Sequence, residues 1–236
     1  IYKFEEGKDA IIAAVIDKAQ HLKGDITPKI LAEFVRQFYG TVAMEDLRSW
    51  AVDDLYGAAT HFLSTMYHRA PLDIKLYIYN PEFEKHSWQT THTVIEVVCD
   101  DRPFLVDSVR LVLHRMNIVP YLVIHMGDVH IQRDKHHNIT RILERSEKIP
   151  ASCSTEAVIL VEIERQTDPK VLEHLQHNLM RALEDNRVVC DDWMLMREKV
   201  RELIVELNTP SQSLDPNEVE ETKAFLHWIE DHHFTF

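Results

Sequence analysis

The stretch THTVIEVVCDDRPFLVDSVRLVLHRMNIVPYLVIHMGDVHIQRD, residues 91–134, decides the fold of this chain. Apolar and β-branched residues crowd positions 91–99, which predicts a strand, and the acidic loop at 100–103 ends it. From Leu105 onward, apolar residues recur about every 3.6 positions, which predicts an amphipathic helix. The pattern of a strand returns at 121–126. A strand-helix-strand unit of this kind buries one helix face on a sheet, so it forms a folding core.

The composition excludes several classes of function. The 236 residues are 45% hydrophobic, enough for one or two cores, and no run approaches the roughly eighteen uncharged apolar residues that span a membrane. The net charge of −13 argues against nucleic-acid binding, which needs clustered lysines and arginines. The five glycines form neither G-x-G-x-x-G nor a P-loop, so the two commonest nucleotide cradles are missing.

The cysteines and the start of the sequence indicate a cytoplasmic protein. Cys99, Cys153 and Cys190 are odd in number and lack C-x-x-C spacing, which favours a reducing compartment. No apolar block follows a basic start, so nothing indicates export.

Residues 1–70 predict a helical segment. The apolar spacing indicates a first helix ending at Gly24, a second that begins at Pro28 with Thr27 or Asp25 as its cap, and a third from 44 to 69. Gly57 lies in the middle of the third helix and costs about 1 kcal/mol relative to alanine. Either another helix packs closely there or the helix bends.

Residues 71–192 predict an α+β domain. Strands are expected at 75–79 and 157–164 and at RVVC, 187–190, with a helix beginning at Asp168-Pro169 between the last two. The order from 91 to 190 is then β-α-β-β-α-β, the ferredoxin-like arrangement, with an antiparallel sheet and both helices on one face. KLYIY at 75–79 adds an edge strand. Gly127-Asp128 is expected to form a bulge or a tight bend, and 134–155 an exposed hairpin loop.

Residues 193–236 predict C-terminal helices and a linker that lead to a further domain absent here. Helices are expected at 193–207 and 218–230, joined by a linker at 209–215. The segment 233–236 has the pattern of a strand that is only beginning, which predicts that the chain is a fragment of something longer.

Two segments carry a family resemblance. TTHTVIEVVCDDRPFLVDSVRLVLHRMNIVPYLVIH at 90–125 and AFLHWIEDHHFTF at 224–236 resemble the N-terminal region of the large NAD-specific glutamate dehydrogenases of bacteria. The resemblance covers about residues 45–236 and implies an ACT-like domain of ferredoxin-like topology. It also implies that the catalytic, NAD-binding region lies downstream. The fragment itself then has no catalytic residues and no cofactor, whereas the parent enzyme uses NAD to deaminate L-glutamate oxidatively to 2-oxoglutarate and ammonia.

The resemblance also indicates a candidate effector site in the loop between the first strand and the first helix. In ACT domains this loop approaches an amino acid with its backbone, and the corresponding residues here are Asp101, Arg102, Pro103, Phe104 and Leu105. Amides at the helix N-terminus favour a carboxylate, and Asp101 favours an ammonium group. Phe104 stands where the usual pattern has glycine and is expected to obstruct that approach. The alternative is structural: Asp100 or Asp101 caps the helix, with Pro103 in its first turn and Phe104 filling the core.

The fifteen histidines invite a metal site, but the spacing argues against one. His125 and His130 are five apart, so a regular strand would place them on opposite faces. His174 and His177 share a helix face without the H-E-x-x-H order of zinc enzymes. The four tryptophans are expected to be core anchors rather than a ligand box; they are Trp50, Trp88, Trp193 and Trp228.

Two functions remain open. The first is a regulatory and oligomerisation region that binds an amino-acid effector and acts on a downstream dehydrogenase. The second is a structural scaffold for subunit assembly with no ligand site. In both, the expected partners are further copies of the chain and downstream domains, because open sheet edges favour pairing. Neither involves nucleic acid or a membrane.

Overall fold

The computed structural model describes residues 2–21, 24–209 and 214–233, and the backbone alone is described for 2–6, 21 and 232. Four helices precede the first strand, and the remaining strands and helices are interspersed along the chain. The helices are α1 (Tyr2–Lys18, extended by a 3₁₀ turn at Ala19–His21), α2 (Pro28–Gly40), α3 (Met44–Arg48), α4 (Val52–Met66), α5 (Phe83–His86), α6 (Leu105–Arg115), α7 (Pro169–Glu206) and α8 (Pro216–Trp228, followed by a π-helical turn at Ile229–His233). The strands are β1 (Lys75–Tyr79), β2 (Thr93–Asp100), β3 (Pro120–Arg133), β4 (Ile139–Ile142) and β5 (Cys153–Ile163).

The chain divides into two compact units, residues 1–183 and residues 184–236. The first unit is built on a five-stranded antiparallel sheet of order β1-β2-β5-β3-β4. The predicted α+β class, the antiparallel sheet and the edge position of β1 are confirmed.

Both faces of this sheet are covered. On one face, Ile95, Val97 and Ile159 pack against α6 and the first half of α7, as predicted. On the other face, Val98 and Leu160 pack against α1, α2 and α4. A sheet buried on both sides needs apolar residues at successive positions, and this explains why β2 lacks a polar-apolar alternation. The N-terminal helices therefore form the second layer of the sheet's core.

The expected fourth strand of the ferredoxin-like order is wrong. Residues 187–190 lie inside α7, which runs without a break from Pro169 to Glu206. No glycine or proline interrupts that helix, so the β-branched Val188 and Val189 extend it instead of starting a strand. The sheet position beside β2 is occupied by β1, from the N-terminal side of the unit. The helices expected from 168 and at 193–207 are therefore one helix.

Two other expectations need correction. The helix expected over 44–69 is two helices, because the chain turns at Ser49–Ala51, where the Trp50 ring stacks on Trp88 at 5.5 Å. The segment 134–155 is not simply an exposed loop: β4 pairs with β3 and buries Ile139 and Ile142. Asp134 accepts hydrogen bonds from the His136 and Asn138 amides, and so forms the turn between these strands.

Two predictions touch residues outside the described ranges. The linker at 209–215 includes 210–213, which the structure does not describe. The beginning of a strand expected at 233–236 lies, except for His233, outside the described residues as well. His233 itself ends the π-helical turn. Within the described ranges, no helix combines the length and the hydropathy that crossing a membrane would require.

Candidate functional site

The loop between β2 and α6 turns through an unusual backbone conformation at Phe104. Phe104 has φ 65° and ψ 13°, in the left-handed region, and occupies the N-cap position of α6. Its ring is 67% exposed, so the expectation that Phe104 fills the core is wrong. Leu105, the next residue, is buried against the sheet. Phe104 thus adopts the conformation that glycine usually supplies, and its ring lies in solvent.

Neither acidic residue of the loop caps α6, in contrast to the structural alternative. Asp101 Oδ2 accepts a hydrogen bond of 2.8 Å from the Asp128 amide in β3, and the Asp101 amide donates to Thr155 O at 3.1 Å. Asp100 Oδ1 accepts from Arg69 Nη2 at 2.6 Å. Helix α6 begins at Leu105, so Pro103 precedes the first turn. Asp101 therefore fixes the loop to β3 and β5, whereas Asp100 binds Arg69, which lies between α4 and β1. The N-cap residue Phe104 has no side-chain acceptor for the first-turn amides.

A network of buried charges lies beneath this loop. Glu156 in β5 is fully buried and accepts hydrogen bonds from Arg133 Nε at 2.8 Å and Arg133 Nη2 at 3.0 Å. Arg69 Nε lies 3.1 Å from Glu156 Oε2, and Arg69 links this carboxylate to Asp100. Arg102 Nη1 lies 3.7 Å from Asp100 Oδ2. Arg102 of the predicted site is thus connected to the core of the sheet through ion pairs.

The electrostatics of Glu156 follow from this arrangement. Burial alone would raise the pKa of Glu156, but hydrogen bonds and positive charge from Arg133 and Arg69 outweigh burial and hold the pKa below its usual range. Arg133 also donates to the carbonyls of Met66 and Tyr67 at 3.1 and 3.0 Å. These carbonyls end α4, where the helix leaves acceptors unpaired. The network therefore joins α4 to β5 and supports the strand that precedes the loop.

Sequence reasoning missed this network and a second polar cluster on the same sheet face. Glu96 in β2 is 1% exposed and accepts hydrogen bonds from the Tyr79 hydroxyl at 2.7 Å and the Thr65 hydroxyl at 3.1 Å, with His61 Nδ1 at 3.1 Å. Burial and then the charge of Glu96 raise the pKa of Tyr79, which keeps its hydroxyl a donor. Glu96 had a visible signal, because it interrupts an apolar strand. Arg69, Arg133 and Glu156 come from distant segments and had none.

The bulge in β3 corrects the prediction for the histidines. The register shifts between Met126 and Val129, as Gly127-Asp128 predicted. Met126 and Val129 both pack on the core beneath α1, α2 and α4, so the bulge places His125 and His130 on one face, the opposite one. A β-carbon added to Gly127 would lie 3.3 Å from the His125 ring and 3.5 Å from Asp101 Oδ2. The His125 ring therefore lies close to Asp101 of the candidate loop.

The chemistry of this corner is that of hydrogen bonding and charge. His130 Nε2 lies 3.4 Å from Asp128 Oδ1. Within residues 2–21, 24–209 and 214–233, no three histidine, cysteine, aspartate or glutamate side chains form a group that could hold a metal ion.

Of the four tryptophans, Trp88 is fully buried and Trp50 stacks on it, whereas Trp193 and Trp228 are 41% and 48% exposed. The expectation of core anchors is therefore wrong for the last two.

Replacing Phe104 by glycine is expected to raise the free energy of unfolding by about 0.5 to 1 kcal/mol. The left-handed conformation costs a residue with a β-carbon about 1–2 kcal/mol, and the greater freedom of glycine in the unfolded chain offsets part of the gain. The exposed ring contributes little burial that could be lost. Urea denaturation measures the change.

The matched control for Phe104→Gly is Leu111→Gly. Leu111 is also exposed but lies within α6, where glycine is expected to cost about 1 kcal/mol. A loss of stability in Phe104→Gly as large as that of the control would contradict the assignment of strain to Phe104.

Comparison with known proteins identifies the family. Residues 34–179 match the family described as glutamate dehydrogenase, ACT1 domain. The NAD-specific glutamate dehydrogenase of Halomonas elongata is 37% identical over 207 residues, 86% of this chain and 12% of that protein. That of Pseudomonas aeruginosa is 31% identical over 220 residues, 92% of this chain and 13% of that protein. The chain thus spans about an eighth of the length of these curated relatives. Because the family match extends over more than half of its residues, the chain belongs to the ACT1-domain family of glutamate dehydrogenases.

Proposed function

We propose that the chain is the regulatory and oligomerisation region of an NAD-dependent glutamate dehydrogenase and is itself non-catalytic. The matching family is named for an ACT1 domain of this enzyme, and both relatives bear the name NAD-specific glutamate dehydrogenase. In this proposal the parent enzyme is cytoplasmic and deaminates L-glutamate oxidatively to 2-oxoglutarate and ammonia. NAD and the reacting substrate bind in the remaining length of the parent polypeptide.

The proposed effector is an amino acid bound at the β2–α6 loop. The observation that carries this proposal is the start of α6, where Phe104 supplies no side-chain acceptor for the first-turn amides. These amides and the guanidinium of Arg102 favour the effector carboxylate. Asp101 Oδ2 accepts a hydrogen bond from the Asp128 amide. The negative charge of the same carboxylate favours the ammonium group of the effector. Pro103 is exposed and Leu105 is buried, so Pro103 borders the site and Leu105 anchors it.

The second candidate function is a scaffold for subunit assembly without a ligand site. Asp100 and Asp101 already accept hydrogen bonds from Arg69 and from the Asp128 amide, and this favours a purely structural loop. The edge strand β1 carries Tyr77, which is 42% exposed, and an exposed edge favours pairing with another chain. In this function the chain holds copies of the enzyme together.

Calorimetric titration of the chain with the twenty amino acids is expected to give heat with at least one of them. Asp101→Ala should abolish that heat, because the ammonium group loses its partner. Asp107→Ala is the matched control: Asp107 lies in the first turn of α6 but outside the loop, and its removal should leave the affinity within about threefold, as expected for an exposed charge at a helix N-terminus.

The two functions give opposite results in the parent enzyme. Deletion of residues 91–190 should remove the response of the dehydrogenase to the effector if the region is a sensor. It should change only assembly and solubility if the region is a scaffold. No heat with any amino acid, together with an unchanged effector response after deletion, would refute the effector proposal.

A further inference from the structure

The second unit, residues 184–236, exposes most of its large apolar side chains. Among its described residues, the buried apolar side chains are Ile204 and Val219, at 8% and 6% exposure. Two helices with so small a core cannot be stable through their own packing. Many large apolar side chains of this unit are instead exposed, namely Val188, Val189, Trp193, Met194, Leu195, Met196, Leu203, Val205, Leu214, Phe225 and Trp228.

Five apolar residues of α7 form a continuous stripe, which we call the α7 seam. Val189, Trp193, Met196, Val200 and Leu203 are separated by four, three, four and three positions. This is the a/d spacing by which one helix packs along another in a coiled coil. Four of them are exposed: Val189 at 55%, Trp193 at 41%, Met196 at 46% and Leu203 at 41%. The seam has the pattern of a helix-packing surface while lying open to solvent.

Helix α8 does not cover this seam. Arg197 and Arg201 of α7 pair with Glu230, which lies in the π-helical turn after α8, at 3.5 and 2.5 Å. Arg197 and Ile204 flank the seam on one side, and Ile204 is buried. With four of its five residues exposed, the seam lies on a side of α7 that α8 leaves free.

Charge distinguishes between the partners that could cover the seam. The other flank carries Asp192, Lys199 and Glu206, and Lys199 is paired with Glu202. Residues 184–236 contain thirteen aspartates and glutamates against five lysines and arginines. Two copies of so acidic a surface would repel each other, whereas a helix with lysine or arginine beside its apolar stripe would be attracted. The relatives are about seven times as long as this chain, so a parent polypeptide has ample length to supply such a helix.

We propose that the α7 seam is the docking site for an amphipathic helix with a basic flank, supplied by the part of the parent polypeptide outside these 236 residues. The inference rests on the proposed function in one respect only, namely that this chain is a region of a longer enzyme. It requires no effector. In the assembled enzyme the seam is buried, and the acidic flank pairs with the basic residues of the docked helix.

Oxidative labelling with hydroxyl radicals tests the proposal by comparing the isolated chain with the full-length enzyme. Met196 lies on the seam and Met194 lies off it, and their exposures of 46% and 44% are matched. In the isolated chain the two methionines should oxidise at similar rates. In the full-length enzyme Met196 should oxidise slower by about fivefold or more, because a packed interface excludes solvent, while Met194 should change less than about twofold. Carbodiimide should then cross-link Asp192 or Glu206 to a lysine outside the chain.

Three results would overturn the proposal. Equal oxidation of Met196 in both proteins would mean that the seam stays open. Protection of Met196 in the isolated chain that increases with concentration would identify a second copy as the partner. Protection without any cross-link from Asp192 or Glu206 would exclude the basic flank. The absence of heat in the calorimetric titration leaves all three readings unchanged, so the two proposals fail separately.

Discussion

Replacing Glu156 by glutamine is expected to lower the free energy of unfolding by about 3 kcal/mol at pH 7, because breaking a buried ion pair by removing one partner leaves uncompensated buried charge. Glu156 is fully buried and is the shared partner of Arg69 and Arg133. Arg69 would keep Asp100, but Arg133 would retain only backbone carbonyls. Urea denaturation of the two proteins measures the loss.

The effect of Glu156→Gln should depend on pH in a defined direction. The folded-state pKa of Glu156 is held below the ordinary value of 4.5, so its ionised form stabilises the fold. This contribution is fully present above about pH 4.5 and is lost as the pH falls through the lowered pKa. The difference between wild type and variant should therefore be constant from pH 6 to 8 and shrink below about pH 4, within the range where glutamate titrates.

Glu162 provides the matched control on the same strand and the same sheet face. Glu162 is also buried, but burial raises its pKa more than His92 lowers it, and its Oε1 has no hydrogen-bond partner. The protonated form of Glu162 therefore contributes to the stability of the fold below about pH 4.5, and this contribution is lost as the pH rises through the raised pKa. Glu162→Gln should change stability at pH 7 by less than about 1 kcal/mol, since among the described residues its Oε2 is hydrogen-bonded to His92 alone and its Oε1 has no partner. Equal losses in both variants would refute the assignment of the effect to the arginines.

The elements that the sequence predicted are those encoded by neighbouring residues. The run of apolar residues in β2, the helical spacing from Leu105 and the alternation in KLYIY each specify an element within a few positions, and the structure contains all three. The bulge at Gly127-Asp128 was predicted for the same reason. Its consequence for His125 and His130 was missed, because the face of a residue after a bulge depends on how the extra residue is accommodated.

The wrong predictions concern segments whose local sequence fits two structures, so that only tertiary contacts decide between them. RVVC at 187–190 has the composition of a strand, but no stop signal separates it from the helix before it, and β1 already occupies the sheet position it would need. Two of the tryptophans were expected in the core because large aromatic residues usually lie there. Trp193 belongs instead to an open helix face, and nothing local to Trp193 indicates that its unit lacks a core.

The candidate loop illustrates the same limit. Pro103 correctly marked the boundary between β2 and α6, but the roles of its neighbours depend on residues far away in sequence. Asp100 is bound by Arg69, and Asp101 by the Asp128 amide, so neither is available as the cap that local patterns predict. With Asp100 bound to Arg69 and Asp101 bound to β3, the chain enters α6 through Phe104 in the left-handed conformation. Long-range bonds therefore determine the local conformation.

Replacing Gly57 by alanine is expected to lower the free energy of unfolding by about 2 kcal/mol, although alanine favours a helix over glycine by about 1 kcal/mol. Gly57 lies in the middle of α4, where the sequence predicted either a second helix close by or a bend. The structure has a loop instead. A β-carbon at Gly57 would lie 2.6 Å from Trp88 Cβ and would also overlap the backbone carbonyl oxygen of Ser87.

The loop cannot easily yield to the added methyl group. Ser87 is held at φ 62°, and Trp88 is fully buried and stacked on Trp50 at 5.5 Å, so moving either residue would separate aromatic rings in the core. Gly40→Ala is the control: Gly40 ends α2 and has nothing within 4 Å of an added β-carbon, so only helix propensity acts and a gain of up to about 1 kcal/mol is expected. Thermal denaturation compares the stabilities, and near-ultraviolet circular dichroism reports whether the tryptophan pair has moved. Gains of stability in both variants, with unchanged aromatic dichroism, would show that the loop shifts freely and that Gly57 is not required by its approach.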